Sequence, residues 1–228
     1  MTVCCLCQSF EVSEFQKADF FRCGQCQLIF KDPILHLSPI EEKKRYDLHE
    51  NSLSDPAYVN FLWPVVEQIK RLYPSPALGL DFGCGPGPVL SQLLSQENYK
   101  MYSYDPYFFP EALSDFKNLP TKAFDFITCT EVAEHFYHPG HEFKKLFSWL
   151  KETGHLVLMT DLFKEGTNLQ NWGYARDPSH VCFFSEATLR WLAKKYGAQL
   201  DIISGRLVSF TSSAPEASAT ALSKLRLF

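Results

Sequence analysis

Several things are missing from this 228-residue chain. No run reaches the roughly 18 uncharged apolar residues that a membrane helix needs, so no spanning segment is expected. Met1 to Cys7 have neither the basic start nor the apolar stretch of a secretory leader. Basic residues are in deficit: 22 Lys and Arg stand against 26 Asp and Glu, a formal charge of -4. That removes the global attraction for nucleic acid or anionic membrane that a strongly basic chain would have. The basic trio Lys43-Lys44-Arg45 reads as a solvated helix face. Disorder is also disfavoured, because 46% of residues are hydrophobic and 15% aromatic, ample for a core. The length suits one main domain plus an appendage. The expected setting is reducing and cytoplasmic, where eight cysteines serve as metal ligands or small buried apolar groups rather than disulfides.

Four of the cysteines are patterned. Cys4 and Cys7, and Cys23 and Cys26, form two C-x-x-C turns with the fifteen residues from Gln8 to Arg22 between them. Each turn aims two thiolates at one point, and two turns close a tetrahedral four-sulfur site. Phe20, Phe21, Leu28, Ile29 and Phe30 supply apolar cover for a short hairpin. The pattern resembles a zinc ribbon, with Cys4, Cys7, Cys23 and Cys26 as ligands of a structural zinc. A redox pair, chance clustering and a ligand role for Cys5 in place of Cys4 stay open. About 30 residues bury too little to fold without such help.

The remaining chain divides into a linker with one polar helix (33–55, helix Ile40 to Glu50), a main domain (56–211) and a loosely ordered tail (212–228), after the ribbon-like segment 1–32. Val59, Leu62, Val66, Ile69 and Leu72 recur at helical spacing, predicting a helix over Pro56–Tyr73. Strands are expected at 77–82, 101–104, 124–129 and 155–159, alternating with helices at 89–96, 142–151 and 185–196. A closing hairpin is expected at 199–203 and 207–211. Strands alternating with helices imply an α/β fold: a doubly wound, mostly parallel sheet with ligands beyond its C-terminal strand ends.

Asp81-Phe82-Gly83-Cys84-Gly85-Pro86-Gly87 ends the first of these strands, and Asp105 follows 24 residues after Asp81. An acid there can accept both hydroxyls of a ribose. A dinucleotide loop needs G-x-G-x-x-G, and its third glycine would fall on Pro88. An acid before the first glycine repels phosphate and suits a cationic ligand.

The glycine loop resembles the first motif of class I S-adenosylmethionine-dependent methyltransferases. Tyr104-Asp105-Pro106 is similar to their second motif, and Phe124-Asp125-Phe126-Ile127 followed by Glu131 to their fourth. The resemblance covers about residues 56–211. It implies a Rossmann-like methyltransferase fold with Asp81, Gly83, Cys84, Gly85, Gly87, Asp105, Pro106, Asp115, Thr130 and Glu131 around the cofactor. Only 18 residues separate Asp105 from Phe124, a short stretch for the helix and third strand usual there. Asp115 is the nearest match to the family's adenine-side acid, with Phe116 and Leu119 as alternatives.

Glu131, Glu134 and His135 fall three and four apart, so one helical turn gathers them on one face. This E-x-x-E-H pattern resembles those of polyprenyl catechol O-methyltransferases and small-RNA 3'-end methyltransferases, where it accompanies a metal. His180 is the candidate fourth ligand. Three roles stay open: a second divalent ion on Glu131, Glu134, His135 and His180; a metal-free site with His180 or His135 as base; or an E-H pair that only shapes the pocket. Trp172, Tyr174 and Arg176 are candidate clamps for the acceptor. The expected activity is O-methylation of a small molecule. RNA or protein methylation, with the ribbon docking the partner, and a non-catalytic cofactor-binding scaffold are the alternatives.

Overall fold

The computed structural model describes residues 2–16, 19–48, 51–111 and 121–213. Asp115, Phe116, Leu119 and the tail beyond residue 213 lie outside them, as does the end of the expected helix Ile40 to Glu50.

The main sheet has six strands: β4 (Leu78–Phe82), β5 (Lys100–Tyr104), β6 (Phe124–Thr130), β7 (Leu150–Met159), β9 (Gln199–Ile202) and β10 (Leu207–Thr211), in the order β5-β4-β6-β7-β10-β9. The first four run parallel, and β10 is antiparallel to both its neighbours. This is the expected doubly wound sheet. Strand order reverses about β4, which places a crevice at the C-terminal ends of β4 and β6.

Period-2 alternation sends Phe126, Val157 and Met159 to one face, against the helices Pro56–Leu72 and Val89–Gln96. Ile127, Leu156 and Leu158 go to the other face, with Phe143 of the helix Pro139–Trp149 and Leu189 of the helix Glu186–Tyr196. Local signals set the helix ends. Asp55 accepts from the amides of Ala57 and Tyr58, and Ser185 caps the last helix, which Gly197 ends in a left-handed turn. Among the described residues, no helix is long and apolar enough to cross a membrane.

The N-terminal segment forms β1 (Val12–Glu14), β2 (Phe20–Cys23) and β3 (Ile29–Lys31), an antiparallel meander. A fourth strand completes it from far along the chain: β8 (Cys182–Phe183) pairs with β3. Cys4, Leu6, Cys26 and Leu28 belong to the same core as Phe136, Phe143 and Phe184. The segment is therefore packed into the main body.

The linker helix is Pro39–Tyr46, opened by a capping box between Ser38 and Glu41. The solvated face expected for Lys43-Lys44-Arg45 needs one correction. Lys43 pairs with Asp47 on the surface, but Arg45 reaches Asp177 at 2.9 Å.

Candidate active site

A cavity of about 920 Å³ opens at the switch point. Its floor is the glycine loop. Gly83 and Gly85 take φ of +78° and +66°, which side chains resist, and a Cβ on Gly83 would overlap Val132. Asp105 ties this loop to β5. One carboxylate oxygen accepts from the Gly85 amide at 3.1 Å. The other accepts from the amides of Tyr107 at 2.8 Å and Phe108 at 3.2 Å. A carboxylate has about four lone-pair sites, so Asp105 still has acceptor capacity toward the cavity.

Gly83, Cys84, Gly85, Asp105, Pro106, Thr130, Glu131, His135 and His180 all line the cavity. Asp81 and Gly87 do not. Asp81 is buried beneath the loop and accepts from Thr128 Oγ1 at 2.9 Å and Ser91 Oγ at 3.5 Å. A Cβ on Gly87 would overlap the backbone of Asn51.

Burial pushes the Asp81 carboxyl up to about 6. The folded protein then holds this proton more tightly than the unfolded chain. The group's stabilising contribution is complete below about pH 4 and is lost as pH rises through about 6. Asp81→Asn should therefore gain stability over the wild type at pH 7.5 compared with pH 4, by on the order of 2–3 kcal/mol. Urea unfolding at the two pH values reads this. An equal difference at both would show that the charge is not responsible.

On the far side of the crevice, Glu134, His135 and His180 place one donor atom each within 4.8 Å of one another. Glu131 is not in that set, although the residue lines the cavity and its carboxyl lies 3.7 Å from Arg206. The turn is the short 3-10 helix Ala133–His135, which aims Glu134 inward. Glu131 sits just before it at φ +51°, a left-handed conformation found often at functional sites. His135 Nδ1 lies 3.0 Å from the Ser179 carbonyl, and His180 Nδ1 lies 2.7 Å from the Tyr174 carbonyl. A carbonyl only accepts, so each Nδ1 carries a proton. In the neutral rings the lone pair is then on Nε2.

Glu134 is fully buried. Its Oε2 accepts from Thr160 Oγ1 at 3.0 Å, and its Oε1 has no hydrogen-bond partner. Burial raises the pKa of Glu134, and burial together with the Glu134 charge raises that of Glu131. Burial, reinforced by His135, pulls His180 down to about 4 and keeps its ring neutral at pH 7.

The aromatic clamp is corrected in part. Trp172 packs on Phe163 and Phe183, and the Tyr174 hydroxyl bonds Thr160 at 2.9 Å. Neither residue lines the cavity, and Arg176 is exposed. Tyr107 and Phe108, which follow the second motif, do line the cavity, and much of the remaining wall comes from a stretch read as a connector. Glu42, Arg45, Tyr46 and Asn51 line the cavity, as do Tyr58 and Phe61 of the following helix. Glu42 is buried and accepts from Tyr46 at 2.9 Å and Tyr107 at 2.6 Å. The Tyr46 ring stands edge-on to His135, 5.4 Å between centroids. Glu42 and Tyr46 at i, i+4 could have signalled a shared face, but nothing in the sequence said what that face meets. The lining carboxyls Glu42, Asp105, Glu131, Glu142 and Asp177 outnumber the cations Arg45 and Lys145.

In the ribbon, Cys4 and Cys26 Sγ atoms are 3.5 Å apart, those of Cys7 and Cys23 are 3.4 Å apart, and all four lie within 4.8 Å of one another. Four converging thiols fit a tetrahedral soft-metal site.

A family described as a methyltransferase domain matches residues 59–201, more than half of the chain. No curated protein matches. A Bacillus halodurans C-125 structure classed among the methyltransferases is 12% identical, covering 65% of this chain and 99% of its own, with a TM-score of 0.52. A Pyrococcus horikoshii OT3 protein is 16% identical over 75% and 99%, with a TM-score of 0.51. These structures establish the fold, and the family match establishes membership. The chain belongs to the methyltransferase-domain family, as a class I S-adenosylmethionine-dependent methyltransferase.

Proposed function

We propose that this enzyme methylates an oxygen of a small molecule, with a divalent ion held by Glu134, His135 and His180 and a structural zinc held by Cys4, Cys7, Cys23 and Cys26. The observation that carries the reading is convergence: the glycine loop and Asp105 face Glu131, His135 and His180 across one cavity.

S-adenosylmethionine brings a methyl group already activated on a sulfonium. What is left to the protein is alignment of the acceptor and removal of its proton. Asp105 would accept the ribose hydroxyls while holding Gly85 in place. Two imidazole nitrogens and a carboxylate oxygen form a donor set that suits a divalent ion. Their supports fit as well, because metal-bound histidines commonly donate their other N–H to a carbonyl. The buried, unpartnered Glu134 Oε1 is accounted for by the same ion. Such an ion would lower the pKa of an acceptor hydroxyl. The excess of carboxyls around the cavity favours an uncharged or cationic acceptor over RNA.

Calorimetric titration with S-adenosylhomocysteine, with elemental analysis, tests the reading. One S-adenosylhomocysteine and one zinc per chain are expected, together with a Mn²⁺ site. Glu134→Gln should weaken Mn²⁺ at least about tenfold, the loss of one charged ligand. It should leave S-adenosylhomocysteine affinity intact. A wild type without a Mn²⁺ site would sink the metal-assisted mechanism and return proton removal to His135 or His180.

A further inference from the structure

Lys31 lies outside the cavity, yet it is only 8% exposed. Its Nζ donates to the carbonyls of Asp177 at 3.1 Å and Pro178 at 3.2 Å. Its backbone amide donates to the Val181 carbonyl at 2.8 Å. From the opposite side, the Val181 amide donates to the Glu134 carbonyl at 2.7 Å. The short segment 177–181 therefore hangs between the ribbon and the turn that carries Glu134. It presents Asp177, Ser179 and His180 to the cavity.

The ribbon grips the same region twice more. β3 pairs with β8 through Ile29 opposite Phe183 and Phe30 opposite Cys182. On the other flank, a Cβ on Gly140 would overlap the Leu6 carbonyl, so the Cys4–Cys7 turn rests on the helix that follows the Glu134 turn. These three attachments, each within five residues of a cysteine of the cluster, end on the acceptor half; further contacts, from Arg22 to Glu165 and between Gln16 and both Thr167 and Leu169, reach the segment ahead of it. None ends on the glycine loop. An apolar residue at position 31 would leave the Pro178 carbonyl without this donor and the Asp177 carbonyl with only the His180 amide, at 3.2 Å.

We infer that the four-cysteine ribbon is a brace for the acceptor half of the active site, with Lys31 as the positioning residue that sets the segment carrying His180. The role assigned to His180 rests on the ion reading above; the bracing itself rests on the contacts alone.

Two measurements on the full, zinc-loaded chain test this. Mn²⁺ affinity is read by electron paramagnetic resonance, and amide exchange over residues 179–183 by mass spectrometry. In Lys31→Met, Mn²⁺ should bind at least tenfold more weakly, and the 179–183 amides should exchange at least tenfold faster. S-adenosylhomocysteine affinity should stay within twofold. Lys31→Arg, which keeps the donors, should restore both readouts. Withdrawing zinc from the wild type with a chelator should reproduce the exchange pattern without a substitution, which covers a variant that fails to fold. Unchanged exchange in Lys31→Met would overturn the inference. So would acceleration spread evenly over the chain with a parallel loss of S-adenosylhomocysteine binding. If the wild type binds no Mn²⁺, the ion reading fails, and the exchange data alone decide for or against the brace.

Discussion

Cys23→Ser should abolish the zinc binding proposed for the four cysteines and lower the thermal midpoint by roughly 6–16 °C. Apparent binding free energies of closed thiolate zinc sites are on the order of 10 kcal/mol in small zinc-dependent folds. Even a third of that, about 3–4 kcal/mol, gives this shift for a chain of 228 residues. The effect should not stay within residues 1–32, because Cys23 is fully buried in the core that also contains Phe136, Cys182 and Phe184. Elemental analysis and a thermal melt on one sample read both halves of the prediction. Zinc lost without a change in midpoint would make the ribbon an appendage. Zinc retained would move a ligand role to another thiol, Cys5 being the nearest in sequence to the first pair.

Gly83→Ala should weaken S-adenosylhomocysteine about a hundredfold. The left-handed φ of +78° costs a side chain about 1–2 kcal/mol. Its Cβ would also overlap Val132, and relieving that costs about 1–3 kcal/mol more. The free loop can shed that strain by leaving the +78° geometry, and binding has to restore it, so a total near 3 kcal/mol becomes roughly two decades in affinity. Gly166→Ala is the matched control. Gly166 has φ +88° but nothing within 4 Å of its added Cβ, and it does not line the cavity. It should lose about 1 kcal/mol of stability and leave affinity unchanged. Equal effects on affinity would show that backbone strain, and not the fit of the cofactor loop, governs binding.

The fold was largely legible because its signals are local. The 3.6 spacing of Val59, Leu62, Val66, Ile69 and Leu72 located the helix Pro56–Leu72. The short strand expected at 77–82, just before the glycines, located β4, and the hairpin around Gly205 appeared as β9 and β10. The four cysteines that converge are the four whose spacing singled them out. What the sequence hid was long-range. Cys182 and Phe183 are too few to read as a strand, and their partner β3 lies some 150 residues away. Glu42 looked like one charge in a polar helix, and only packing against Tyr107 turns it inward. Trp172 looked like an acceptor clamp because aromatic character does not distinguish a wall from a core.

The surplus of carboxyls in the cavity wall bears on turnover. On the function proposed above, loading brings in a cofactor with a positive sulfur, which Glu42, Asp105, Glu142 and Asp177 together favour more than Arg45 and Lys145 oppose. Transfer removes that charge, because the product is a neutral thioether. The field that helps to fill the site thus relaxes its hold on the spent cofactor at the moment the methyl leaves, and chemistry itself becomes the trigger for discharge.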